Sequence, residues 1–184
     1  MKTSLLLAAL LLFALTGLTR AESTNDLLFL QEGTLPIVLS APHGGTNAID
    51  GVVPRKGGNA KQFVPGRDGG TFELAQLIAA GLEKELGGKP YLVMARFDRK
   101  FIDANRPAAD AYEQDAAAAP YTAYHRALSN AVAAIRMRWG RGLLIDVHGQ
   151  GAQTNAIFRG TKHGLTVTDL MTRSGEESLV GPSS

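Results

Sequence analysis

The sequence predicts an α/β domain. Three short apolar runs read as buried strands, and segments with helical spacing fall between them. Two of the runs end in a histidine followed by glycine. Strands that alternate with helices imply a sheet covered on both faces. Ligands of open α/β sheets bind beyond the carboxyl ends of the strands, and His43 and His148 each fall at such an end.

The elements follow in order. Residues 22–33 form a polar entry segment with one short apolar patch at 27–30. Residues 35–40 (LPIVLS) are apolar and partly β-branched, which predicts a buried strand. Residues 46–69 are rich in Gly, Pro and Asn and predict a long loop. Loops of that length in a compact domain are often functional. Residues 71–86 place Phe72, Leu74, Ala75, Leu77, Ile78, Leu82 and Leu86 at helical spacing, and Gly87-Gly88 ends the helix. Residues 90–95 (PYLVMA) predict a second strand, and 97–103 an extended segment or short strand. Residues 115–139 predict a long Ala-rich helix with a potential interruption at Pro120. Residues 142–147 (GLLIDV) predict a third strand, ending at His148. From residue 161 the pattern weakens, and no internal repeat or second domain is visible.

Composition narrows the chemistry. The 184 residues suffice for one domain with a real core, and 45% hydrophobic with 20% charged residues is a globular balance. A formal net charge of +2 gives no electrostatic case for a nucleic-acid partner. Cysteine is absent, which excludes disulfides, thiolate nucleophiles and thiolate metal sites, so metal binding must use His, Asp or Glu. Lys2, the apolar run over residues 5–18 and Thr19-Arg20-Ala21 read as an export signal over residues 1–21, cut after Ala21. That run is shorter than the roughly 20 residues a membrane span needs. The expectation is a secreted or periplasmic protein, with no stable membrane insertion after cleavage and a single domain over residues 22–184.

An isolated loop histidine ordinarily caps a turn. Here "SAPHGG" around His43 and "DVHGQG" around His148 repeat one arrangement: an apolar strand, a histidine, then glycines that let a ligand approach the backbone. Two imidazoles and a carboxylate form a common catalytic zinc shell. Asp146, two residues before His148, points the same way on a strand and could orient that histidine. Asp68 and Glu73 bracket the start of the first helix; Asp68 or Thr71 could equally be an N-cap, and Glu73 could serve the helix dipole. "ARFDRKFIDANRP" is either an exposed charged edge or a place where an arginine holds a substrate carboxylate, with Asp103 fixing that arginine. Tyr124-His125 lies on the long helix, where a histidine is more often structural; His163 falls in the weakly patterned region. There is no G-x-S-x-G elbow, P-loop or H-E-x-x-H motif.

Taken in order, "SAPHGG", "RDGGTFELA", "ARFDRKFIDANRP", "YTAYHRAL" and "GLLIDVHGQG" resemble the N-formylglutamate amidohydrolase family, over about residues 40–151. The family is similar in fold to the zinc carboxypeptidases, so the resemblance implies a mixed sheet between helix layers. It implies a zinc-dependent hydrolase that cleaves an amide next to a carboxylate, on an N-formyl or N-acyl amino acid or short peptide, by metal-activated water. It implies His43, Asp68 and His148 as metal ligands, with Asp68 preferred to Glu73. It implies Asn105 and Arg106, helped by Arg99, as the substrate-carboxylate site. Asp146, Asp103 and Glu73 would stand behind these groups. The family usually continues past the point where this sequence ends, with further strands and an acidic residue suited to general-base work. The resemblance therefore implies an incomplete domain and leaves the base unassigned. The alternatives are a carboxypeptidase-like envelope peptidase and a non-catalytic carboxylate-binding module.

Overall fold

In the computed structural model, residues 26–58, 63–151 and 156–157 are described. The expected export signal lies outside the described residues, as do His163 and the tail. The chain divides into two compact units, Met1–His148 and Gly149–Ser184. In the second, Gln150 Nε2 donates to the Ala156 carbonyl at 2.8 Å. All that follows concerns the first. No helix among the described residues is long and apolar enough to cross a membrane.

Four strands form one mixed sheet: β1 (Leu28–Gln31), β2 (Ile37–Ala41), β3 (Tyr91–Ala95) and β4 (Leu143–Asp146), in the order β1-β3-β2-β4. The strand β2 pairs parallel with β3 on one side and with β4 on the other, while β1 runs antiparallel to β3. Two helices cross between strands: α1 (Thr71–Leu86) joins β2 to β3, and α3 (Ala118–Trp139) joins β3 to β4. A single helical turn, α2 (Ala108–Ala111), and a 3-10 turn, Asp115–Ala117, precede α3.

The runs of β2 and β3 are apolar but for Ser40 because both of their faces are covered. Val38 and Val93 face the α3 side, where they join Ala131, Ile135, Tyr124 and Phe97 in the larger core. The alternate residues Leu39 and Leu92 pack with Ala79, and Ala41 and Met94 with Ala75, on the α1 side. Helix α1 ends where Gly87 takes a left-handed φ of 67° and its N–H closes on the Glu83 carbonyl at 3.0 Å. In α3, Pro120 sits in the first turn, where its missing N–H would have no intrahelical partner, so the helix runs on unbroken.

Two segments differ from the sequence reading. The apolar patch at 27–30 is the edge strand β1; four residues carry too little periodicity to declare a strand, and pairing with β3 decides it. Residues 97–103 hold only a single bridge, Asn47 to Phe97, before turning. That bridge ties the long loop after β2 to the segment after β3.

Leu39 is fully buried at the centre of the sheet. Leu39→Ala should lower the unfolding free energy by about 2–5 kcal/mol in denaturant titration. A loss below about 1 kcal/mol would show that the β2 centre is not the core.

Candidate metal centre

The parallel pairing of β2 with β4 places Ser40 opposite Asp146, so the chain leaves both strands at one level. His43 and His148 follow directly, with ring centroids 5.0 Å apart. Gly44 and Gly45 make the first exit possible. A Cβ at Gly44 would come within 2.6 Å of the Phe72 backbone nitrogen, and one at Gly45 would collide with the Arg96 and Phe97 carbonyl groups. The long loop then returns, because the Asp68 N–H donates to the His43 carbonyl at 2.9 Å. Asp68 is not a side-chain N-cap of α1: the cap position is Gly70, and the Thr71 hydroxyl donates to the Asp68 carbonyl at 2.8 Å. The carboxylate is left to face the histidines.

Each imidazole is held from behind. His43 Nε2 lies 2.7 Å from Asp103 Oδ1, and His148 Nε2 lies 2.8 Å from Asp146 Oδ2. A carboxylate can only accept, so both Nε2 atoms carry the proton. The two Nδ1 atoms are then lone pairs, and each stands 3.4 Å from Asp68 Oδ2. His43 Nδ1 is buried without a hydrogen-bond partner among the described residues. Three acceptors facing one another repel unless a cation stands between them. Ligands about 2.0–2.1 Å from a tetrahedral ion lie roughly 3.3–3.5 Å apart, close to the spacing seen here. His43, Asp68 and His148 thus form a group that could hold a metal ion, with ligand atoms all within 4.8 Å of one another.

The charges agree with that geometry. Arg99 is buried; its Nε and Nη2 donate to Asp103 Oδ2 at 3.1 and 2.9 Å, and its Nη1 to Asp68 Oδ1 at 3.3 Å. Asp68 and Asp103 are in direct contact with one guanidinium, Arg99, with Arg55 at longer range, and Asp146 adds a third carboxylate, so carboxylates outnumber cations around the ligand group when the imidazoles are neutral. Burial alone would raise the Asp103 carboxyl, but the hydrogen bonds and charges of His43 and Arg99 hold it well below the usual carboxylate range. The hydrogen bond that His148 donates to Asp146, helped by Asp68, raises His148 against the effect of burial, so an ion at its Nδ1 would displace a proton held there.

The remaining candidates fall at different distances. Asn105 Nδ2 reaches to 3.5 Å from His148 Nε2, at the rim of the ligand group. Arg106 is half-buried and donates from Nη1 to the Asn105 carbonyl at 3.2 Å. Glu73 is exposed in the first turn of α1 and makes no hydrogen bond or ion pair among the described residues. Sequence reasoning passed over Ser40 and Tyr124. The Ser40 hydroxyl donates to Asp146 Oδ1, and Tyr124 packs beside both, its phenol raised by burial and by the Asp146 charge. The available signal was a hydroxyl inside an otherwise apolar strand.

No protein-family model matches the chain, and no curated protein sequence matches it significantly. A solved structure does resemble it. The crystal structure of N-formylglutamate amidohydrolase from Ralstonia eutropha JMP134 aligns with a TM-score of 0.50, over 80% of this chain and 72% of that one, at 18% sequence identity. At that identity the likeness is one of fold, a mixed α/β sheet with helices on its faces.

Asp103→Asn keeps the side-chain shape but loses the charge that holds the His43 proton on Nε2. If the group holds a divalent ion, affinity for that ion should fall about 10- to 100-fold in a competitive chelator titration. An unchanged affinity would mean that His43 needs no such support.

Proposed function

We propose that this chain is a zinc-dependent amidohydrolase that cleaves an amide next to a carboxylate, on an N-formyl or N-acyl amino acid or a short peptide. One observation carries the reading: two imidazole Nδ1 atoms each stand 3.4 Å from one carboxylate oxygen, with all three ligand atoms within 4.8 Å of one another, while Asp103 and Asp146 hold the Nε2 protons on the far side. Nitrogen ligands with a carboxylate favour zinc over magnesium or calcium, which take oxygen sets. The activity named for the Ralstonia structure supports the same class of reaction.

A zinc ion in such a set supplies Lewis acidity: it lowers the pKa of water toward about 7 and polarises a carbonyl. The chain's own residues do the rest. Asp103 and Asp146 keep each ligand imidazole in one tautomer and orientation. Arg99 braces Asp68 against Asp103, so the carboxylate ligand keeps its place. Asn105 and Arg106 bind the substrate carboxylate at the rim, where a guanidinium fork can hold both oxygens. That fixes the amide relative to the ligand group and removes orientational freedom before reaction. The leader-like residues 1–21 favour an extracytoplasmic substrate, such as an acylated amino acid or a peptide of the cell envelope.

Metal analysis of the purified protein should find about one zinc per chain, lost in His43→Ala and in His148→Ala. Wild type should hydrolyse members of a panel of N-formyl and N-acyl amino acids, and a chelator should abolish that activity. Stoichiometric zinc in both variants would refute the site. Turnover confined to peptides would move the assignment to a peptidase.

A further inference from the structure

The geometry points to Tyr121 and His125, on α3, as positioning residues that set the Asn105–Arg106 segment for its carboxylate ligand. This rests on the reading of that segment as the substrate-carboxylate site.

Tyr121 and His125 are four residues apart on one helix, so their side chains share a face. Their rings touch at a tilt, with centroids 4.4 Å apart and planes at 55°, and Tyr112 closes the cluster 5.4 Å from Tyr121. The Tyr121 hydroxyl donates to the Arg106 carbonyl at 2.9 Å. The His125 ring lies beside the backbone of Ala104, which favours its protonated form. The two contacts therefore grip the chain on either side of Asn105. A third anchor comes from within the turn, where the Asn105 N–H donates to Asp103 Oδ1 at 3.1 Å.

The consequence is directional. Residues 102–107 lie in no strand or helix, so no ladder of hydrogen bonds fixes them. With the carbonyl of 106 and the backbone of 104 held against α3, the Asn105 side chain projects outward to the His148 ring. His125 has no place in the ligand group: its Nε2 is buried without a partner among the described residues, and burial outweighs the Ala104 contact in lowering its pKa. Its polar contact is with backbone, and so is that of Tyr121. Both act through the loop.

The test uses the zinc-loaded full chain and glutarate, a carboxylate probe with no amide to cleave. Tyr121→Phe keeps the ring and removes the hydroxyl. It should weaken glutarate binding about 3- to 10-fold by calorimetry, the worth of one hydrogen bond. Zinc content should be unchanged, and with a hydrolysed substrate KM should rise while kcat stays level. His125→Phe should act in the same direction. In an Arg106→Ala background the Tyr121→Phe effect should vanish, because both changes act on one contact. Wild-type affinity in Tyr121→Phe, with binding lost in Arg106→Ala, would overturn the positioning role and leave the carboxylate site standing. An equal loss in the Arg106→Ala background would make Tyr121 merely structural. No loss in Arg106→Ala itself would overturn both.

Discussion

The Asp103 carboxylate is the constraint on which the site depends. It is wholly buried, and a buried charge survives only when paired and hydrogen-bonded on all sides. Its partners are the working parts. One oxygen takes the His43 ring and the Asn105 N–H, and the other takes the Arg99 guanidinium. Arg99 passes the constraint to Asp68. A ligand, the brace of a second ligand and the rim segment thus share one carboxylate. None can move without leaving part of that charge unsatisfied inside the protein.

The sheet supplies the level at which this network is built. His43 follows β2 and His148 follows β4, and these strands are parallel neighbours. The chain leaving β3 brings Arg99, Asp103 and Asn105 to the same end. Three carboxyl ends therefore meet, as open α/β sheets favour. The glycines after His43 belong to this geometry, because the turn passes so close to Phe72 and to the Arg96–Phe97 backbone that a side chain would not fit.

Much of this is legible in the sequence, for physical reasons that differ by element. Helix α1 announces itself through a long amphipathic period closed by glycine, and its bounds match the reading residue for residue. The central strands β2 and β3 show as apolar runs because two covered faces leave little room for polar alternation, whereas the apolar run of β4 is an edge strand among the described residues with Leu143 and Leu144 exposed, against the reading of three buried strands. What escapes is decided by distant pairing. The strand β1 exists through its register with β3, and the direction of that pairing is written in neither segment. The roles of Ser40, Tyr121 and Tyr124 escape for the same reason. Each is set by a partner far along the chain, Asp146 for Ser40 and the Arg106 carbonyl for Tyr121. The histidines were visible because both end apolar runs, whereas Arg99, expected to help at the substrate carboxylate, is buried with its guanidinium on Asp103 and Asp68.

The two histidines are not equivalent, and the difference bears on how a cation would be taken up. His43 is 1% exposed, and Asp103 behind it is also buried. His148 is 31% exposed, and its partner Asp146 is 38% exposed. One half of the ligand group is therefore fixed before any ion arrives, since reorienting His43 would strand a buried charge. The other half faces water, where a hydrated ion can approach and a ring can adjust at small cost. Entry from the His148 side meets Asp68 between the two rings, with Asn105 close by at the rim. A preorganised inner face and an accessible outer one would suit the proposed metal site, combining rigid coordination with access for an ion.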